Sequence, residues 1–386
     1  MDGPEIFFAR VRGARLRAVS AVVPGNAVDV REEMLAQGAD VEKAARFSDV
    51  SGLAVRRVAP EGVTASDLCA VAAGRLLDAM DIDRESVDAL LFVTHCPDFP
   101  LPASAALLQH RLGLSRKCLA VDQNAGCVGW LNGLYVASAM VAAGTCNRVL
   151  LLVGDTPARF SDPANRVIAP VFGDAGTASL VEAASDGEMS FAMATEGAKF
   201  DALAIPGGGA RVPRRIDDAP DGPFDRIVRD SKDTPWTLDG QCRIWMDGMA
   251  IYSFAVSAVP RHVAAHLAHD GLAPADVGRC FLHQANRIMV EAVARKAGFR
   301  PEQVPQEVLA AYGNQGGSSI PVQLCAHEWT IRRPVLLCSF GAGLAVASCT
   351  LSMEGARFLP VHEDATPADP ADRERRIRYW HEKFRR

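Results

Sequence analysis

A chain of 386 residues with 49% hydrophobic and 23% charged side chains is composed like a globular protein with a sizeable core, as one large domain or two to three ordinary ones. Lysine and arginine number 41 against 46 acidic residues, a formal net charge of -5, so there is no basic footprint for nucleic acid. No run of about 18 uncharged apolar residues marks a membrane span, and residues 1–5 lack the pattern of a secretory leader, so the expected location is the cytoplasm.

In chain order, residues 68–80 read as a helix and residues 87–95 as a buried strand ending in His95. Residues 121–127 (VDQNAGC) lead into an almost uncharged stretch, 128–143, closed by Gly144; a helix apolar on every side is a central one. Residues 148–154 form the next apolar strand, and the glycine-bearing run FGDAGTASL begins at Phe172. Gly207 to Gly209 and the Asp/Pro-rich residues 217–223 mark an excursion over the surface, running to about Gln241. A second helix (256–267), a turn (270–274) and a short strand ending in His283 repeat the first pattern, followed by an amphipathic stretch over 288–297. The run FGAGLAVAS from Phe340 echoes the earlier glycine run. After Met353 the composition turns acidic and proline-bearing, then charged and helix-prone over 373–380, a tail outside the repeated body.

The strand-end histidines are 188 residues apart (283 − 95), and Asn314, within YGNQGGSSIP, follows Cys127 by 187 (314 − 127). The chain therefore reads as α/β with an internal duplication: a first half over 1–185, a second over 186–352 containing the 207–241 excursion, and an extension over 353–386. Such a duplication brings the Cys127 and Asn314 helix starts together.

Ten cysteines stand singly, without a CxxC pair or metal-type clustering, and read as reduced, mostly buried thiols. Cys127 differs in its setting. Unpaired N–H groups and the dipole at a helix start at or just before it favour a thiolate, which lowers the thiol's pKa. Ala125, Gly126 and Gly129 leave room for an acyl group. Nucleophile, histidine and amide in one pocket are what covalent acyl transfer requires.

These motifs, in this order, resemble the β-ketoacyl-acyl carrier protein synthase III family of the thiolase superfamily: Ala125-Gly126-Cys127, Phe172-Gly173-Asp174-Ala175-Gly176, Met246-Asp247-Gly248, His283-Gln284-Ala285-Asn286, Gly313-Asn314 and Phe340-Gly341-Ala342-Gly343. The resemblance covers roughly residues 14 to 352. It implies a thiolase fold of duplicated five-layered αβαβα architecture, a homodimer, and a catalytic set of Cys127, His283 and Asn314, with the backbone N–H groups of Cys127 and Ala342 as oxyanion hole. It further implies acyl-CoA and a malonyl thioester on acyl carrier protein as substrates, with no metal and no other cofactor. By position, Asn286, Leu101 and Phe47 fall to substrate binding, and Arg287, Arg295 and Lys296 to carrier-protein contact. The family's adenine-stacking tryptophan is replaced here by Arg46-Phe47, and Arg287 is one residue out of register. The excursion and the tail exceed the usual family length and point to a specialised fatty-acid or secondary-metabolite pathway. Two alternatives stay open: an acyltransferase passing the acyl group to an alcohol or amine, and a non-catalytic partner subunit, a role in which the nucleophile is typically missing.

Overall fold

The computed structural model describes residues 5–211, 243–329, 331 and 333–365, with isolated positions in the tail. Strand side chains alternate between separate cores, and this alternation defines the layers. In β4 (Ala89–Val93), Ala89, Leu91 and Val93 enter a central core while Leu90 and Phe92 enter an outer one. β6 (Arg148–Asp155) repeats this with Val149, Leu151 and Val153 inward and Leu150 and Leu152 outward. On the other side, β11 (Val335–Gly341) sends Val335 and Leu337 to the same central core and Leu336, Cys338 and Phe340 to a third. Period-2 runs apolar on both faces are what sheets buried on both sides require.

The central core holds α5 (Gly129–Ala142) and α9 (Ser319–Ala326). Every residue of α9 from Ser319 to Cys325 is buried, and none in α5 before Ala142 is exposed. The outer layers are α3 (Ala65–Ala79) with α4 (Ser104–Arg111), and α6 (Gly248–His269) with α7 (Arg287–Lys296). Helix, sheet, helix, sheet, helix: the five expected layers are present. The predicted elements fall in place with shifted ends. The helix predicted from residue 68 begins at Ala65 because Thr64 and Asp67 form a capping box. The one predicted from 256 begins at Gly248, where Asp247 accepts the N–H of Ala250.

The strand order is β10–β11–β12–β7–β6–β4–β5, with β1 (Phe7–Pro24) alongside β7. Here β5 is Leu119–Gln123, β10 Arg279–Leu282 and β12 Ala345–Leu351. β7 (Ala175–Thr195) serves both sheets, pairing with β6 through its first part and with β12 through its last. The division expected at residue 185 thus falls inside a strand, at an irregularity where partners of β1 jump from Ala183 to Glu188. The halves join through continuous backbone rather than a linker. Two separate two-stranded sheets pair β2 (Ala27–Asp29) with β3 (Val55–Arg57), and β8 (Leu203–Ala204) with β9 (Trp245–Met246). Smaller helices α1 (Val30–Ala36), α2 (Val41–Ser51) and α8 (Glu307–Tyr312) pack at one flank.

The tail corrects the sequence reading. β13 (Arg357–Phe358) and β14 (His362–Asp364) run parallel to β1, covering its edge, and Arg57 pairs with Glu363. An edge of 18 residues is a liability that neighbouring chain covers, so the extension begins as part of the body. Beyond Ala365 only isolated positions are described, and from Val212 to Gln241 the excursion lies outside the described residues.

A buried polar network ties α6 to the sheet. His262 Nε2 and His266 Nδ1 both meet Ser348 Oγ, at 3.0 and 2.7 Å, and Ser190 and Arg10 bond Asp270. Burial holds both histidines at a pKa of about 4, against the usual 6.5. The unfolded chain therefore takes up protons below pH 6.5 that the folded chain refuses until about 4, so stability falls as pH falls through that window. At pH 5 the loss is about 2 kcal/mol per histidine, while Asp174, pushed by burial up to about 6, offsets roughly 1 kcal/mol. Urea unfolding is expected to require less denaturant at pH 5 than at pH 7.5; an unchanged midpoint would contradict this.

Candidate active site

Three parallel strands, β5, β4 and β6, end side by side, and the crevice outside such carboxyl ends is where open α/β sheets place their chemistry. Past β5 the chain turns tightly through Gly126 and Cys127, with Gly129 N–H on Gly126 O at 2.7 Å. α5 starts at Gly129 with Val128 as its cap, so Cys127 lies just outside the first turn rather than within it. Ser339 Oγ donates to Cys127 O at 2.6 Å, fixing the turn to β11. The thiol is half-buried and meets the backbone N–H of Ala342. Burial pushes its pKa up, with His95 and the N–H groups of Ala342 and Cys127 pulling the other way. This corrects the expectation of a lowered pKa: desolvation outweighs the helix start.

The close fit explains one glycine. A Cβ on Gly341 would lie 2.6 Å from both Cβ and Sγ of Cys127. Gly341→Ala is expected to displace the sulfur and slow acylation by about 10²-fold, the scale of a 1 Å misplacement. Single-turnover acylation measures this, and a wild-type rate would remove the steric argument.

His283 follows β10, its N–H bonded to Cys338 O at 2.9 Å, and its ring stands edge-on to Phe340 at 5.7 Å. Phe340 adjoins both Ser339 and Gly341, the residues touching Cys127. His283 is 2% exposed, and burial lowers its pKa to about 4, so it is a neutral imidazole with one N–H to donate. Asn314 is held through its backbone, bonding Val171 O at 3.0 Å and Gly173 N at 2.9 Å. Its Oδ1 accepts from Gly316 N at 3.0 Å, which orients the NH2 as the donor end. A Cβ on Gly317 would meet Gly126 O at 2.9 Å, so the Asn314 loop abuts the Cys127 turn. Cys127, His283, Asn314 and Ala342 are thus linked within one site.

The remaining predicted residues are more scattered. Leu101, before Pro102, is 86% exposed. Phe47 is half-buried against Val30, Met34 and Leu309, packed rather than presented as an open platform. Asn286 caps α7, its Oδ1 accepting Met289 N–H at 2.9 Å. Arg287 and Arg295 are exposed on α7 two turns apart, with Glu291 between them, while Lys296 Nζ bonds Val256 O at 2.9 Å.

Sequence reasoning missed the pair of His95 and Asp155. His95 Nδ1 lies 2.8 Å from Asp155 Oδ1, and Cys96 adjoins them. His95 was legible as a strand end; Asp155 was not, because only the pairing of β4 with β6 brings it there.

Among the described residues no helix is long and apolar enough to cross a membrane. Residues 121–197 match the family model described as 3-Oxoacyl-[acyl-carrier-protein (ACP)] synthase III, and residues 267–353 match that of its C terminal part. A β-ketoacyl-[acyl-carrier-protein] synthase III of Gloeobacter violaceus is 34% identical over 76% of this chain and 85% of its own. A Streptomyces coelicolor protein named beta-ketoacyl-[acyl-carrier-protein] synthase III 3 is 32% identical over 78% and 87%. The crystal structure of 3-oxoacyl-(acyl-carrier protein) synthase from Burkholderia xenovorans LB400 superposes with a TM-score of 0.83 at 31% identity, covering 93% of this chain and 99% of that one. Fold and site together define an acyl-transferring condensing enzyme of the thiolase fold. The chain belongs to the 3-oxoacyl-[acyl-carrier-protein] synthase III family.

Proposed function

We propose that Cys127 takes an acyl group from acyl-CoA and that the chain joins it to a malonyl thioester on acyl carrier protein, with loss of carbon dioxide. The observation that carries this reading is the Ala342 N–H directed at the Cys127 sulfur, beside two side-chain donors that stay uncharged. When the sulfur attacks a thioester carbonyl, the oxyanion forms within reach of the N–H groups of Cys127 and Ala342. The CoA thiol leaves and an acyl-cysteine remains. The malonyl thioester then loses its carboxylate as carbon dioxide; the electron pair enters an enolate whose oxygen receives hydrogen bonds from His283 and Asn314. The enolate carbon attacks the acyl-cysteine, a carbon–carbon bond forms, and the Cys127 sulfur departs with its electron pair. Decarboxylation drives the step, so the chemistry calls for neither a metal nor a redox cofactor.

The exposed face of α7 suits an acidic carrier protein through Arg287 and Arg295. β5 ends the sheet with Leu119 and Val121 exposed, which supports a homodimer formed across that edge; a light-scattering mass of one 41.2 kDa chain would remove it. Free cysteines throughout the described chain suit a reducing, cytoplasmic setting. The function is tested by supplying acyl-CoA donors of graded length with malonyl-acyl carrier protein. Carbon dioxide release with a preferred donor is expected; none with any donor sinks the condensation reading.

A further inference from the structure

The mechanism above leaves a buried ion pair unused at the mouth of the site. Asp155 ends β6 fully buried, and its Oδ1 accepts from Thr94 Oγ1 at 3.0 Å and from the backbone N–H of His95 at 2.9 Å. Its Oδ2 faces Gly317 N–H at 3.4 Å. These donors make the carboxylate a fixed hydrogen-bond acceptor. His95 Nδ1 lies 2.8 Å from Asp155 Oδ1, within ion-pair distance, while 23% of the side chain stays open. The same region adjoins Cys127: a Cβ on Gly129 would lie 3.0 Å from Val93 Cγ1, two residues before His95, and one on Gly317 would touch both Gly126 O and Asp155 Oδ2.

We propose that His95, paired with Asp155, is a second catalytic histidine of the acylation half-reaction, favouring the attacking Cys127 thiolate as it forms and protonating the departing CoA. In that step the Cys127 sulfur bonds to the acyl carbon, the carbon–sulfur bond to CoA breaks, and the CoA sulfur takes the His95 proton. Solvent recharges His95 before the next turnover, matching the one proton that the whole reaction consumes. Asp155 acts as a positioning residue. The inference rests on Cys127 being the acyl acceptor but not on the later condensation. The titratable groups facing His95 are Asp155, Cys96 and Cys127. Burial opposes its charge, but Asp155 outweighs that and holds its pKa well above 6.5; His95 in turn pulls the Cys127 thiol down, against burial and the Asp155 charge, which push it up. Two histidines would then divide the work: His95 charged for thiol chemistry, His283 neutral for the enolate.

The test compares iodoacetamide alkylation of Cys127 against pH, and single-turnover acylation, in the wild type and His95→Gln, which keeps a donor for Asp155. The expected result is an alkylation midpoint raised by about one pH unit or more and acylation slowed by about 10²-fold, while enzyme already acylated condenses at the wild-type rate. An unshifted midpoint, or equal loss in both half-reactions, overturns the proposal. Should His95→Gln fail to fold, histidine ring NMR of the wild type decides: one imidazolium persisting above pH 7.5 and perturbed when Cys127 is alkylated supports it, and its absence overturns it. Persistent acylation of Cys127→Ala would instead show that the underlying functional reading had failed.

Discussion

Cys127→Ala is expected to abolish the acyl-enzyme, with the turnover rate falling on the order of 10⁴-fold or more, the scale on which removal of a catalytic nucleophile acts. The fold survives, because the side chain is half-buried and its loss leaves a small space beside Gly341. Intact-protein mass spectrometry after exposure to acyl-CoA reads the outcome. Cys338→Ala makes the control: Cys338 is fully buried in β11 among the outer-core residues, so its loss costs stability but leaves the adduct. An adduct persisting in Cys127→Ala, or lost in folded Cys338→Ala, would reverse the assignment.

The second large effect separates the half-reactions. His283→Ala and Asn314→Ala each remove one donor to the enolate, costing roughly 10²- to 10³-fold in condensation, while acylation of Cys127 persists. Because burial keeps the His283 pKa at about 4, its donor N–H is present throughout pH 5–8. Condensation from pre-acylated enzyme should therefore show no ionisation of this residue across that range. A rate that changes with a midpoint near pH 6.5, with the fold intact, would mean that His283 titrates normally. The double variant should lose less than the product of the single losses, since both donors serve one oxygen.

The body of the fold was legible because its signals are local. Residues 89–93 and 280–282 are uninterrupted apolar runs, and the stretch after Cys127 carries no charge, so period and polarity marked the buried layers. The near-equal spacings between His95 and His283 and between Cys127 and Asn314 carried the duplication, and with it the convergence of the site. What stayed hidden depends on pairing between distant segments. Nothing local distinguishes residues 184–187 from a linker, yet they lie within β7. β13 and β14 are two and three residues long, too short for a periodic signal, and exist because β1 offers an edge. Asp155 became the partner of His95 through the β4–β6 register. The raised pKa of Cys127 follows from desolvation, which a helix-start signal does not reveal.

The most direct test preloads Cys127 with an acyl group, removes free acyl-CoA, and adds malonyl-acyl carrier protein in a single turnover. Loss of the acyl mass from the protein should proceed with release of one equivalent of carbon dioxide and appearance of one 3-oxoacyl-carrier product. Loss of the acyl mass without carbon dioxide, the group passing instead to water, an alcohol or an amine, would contradict the account.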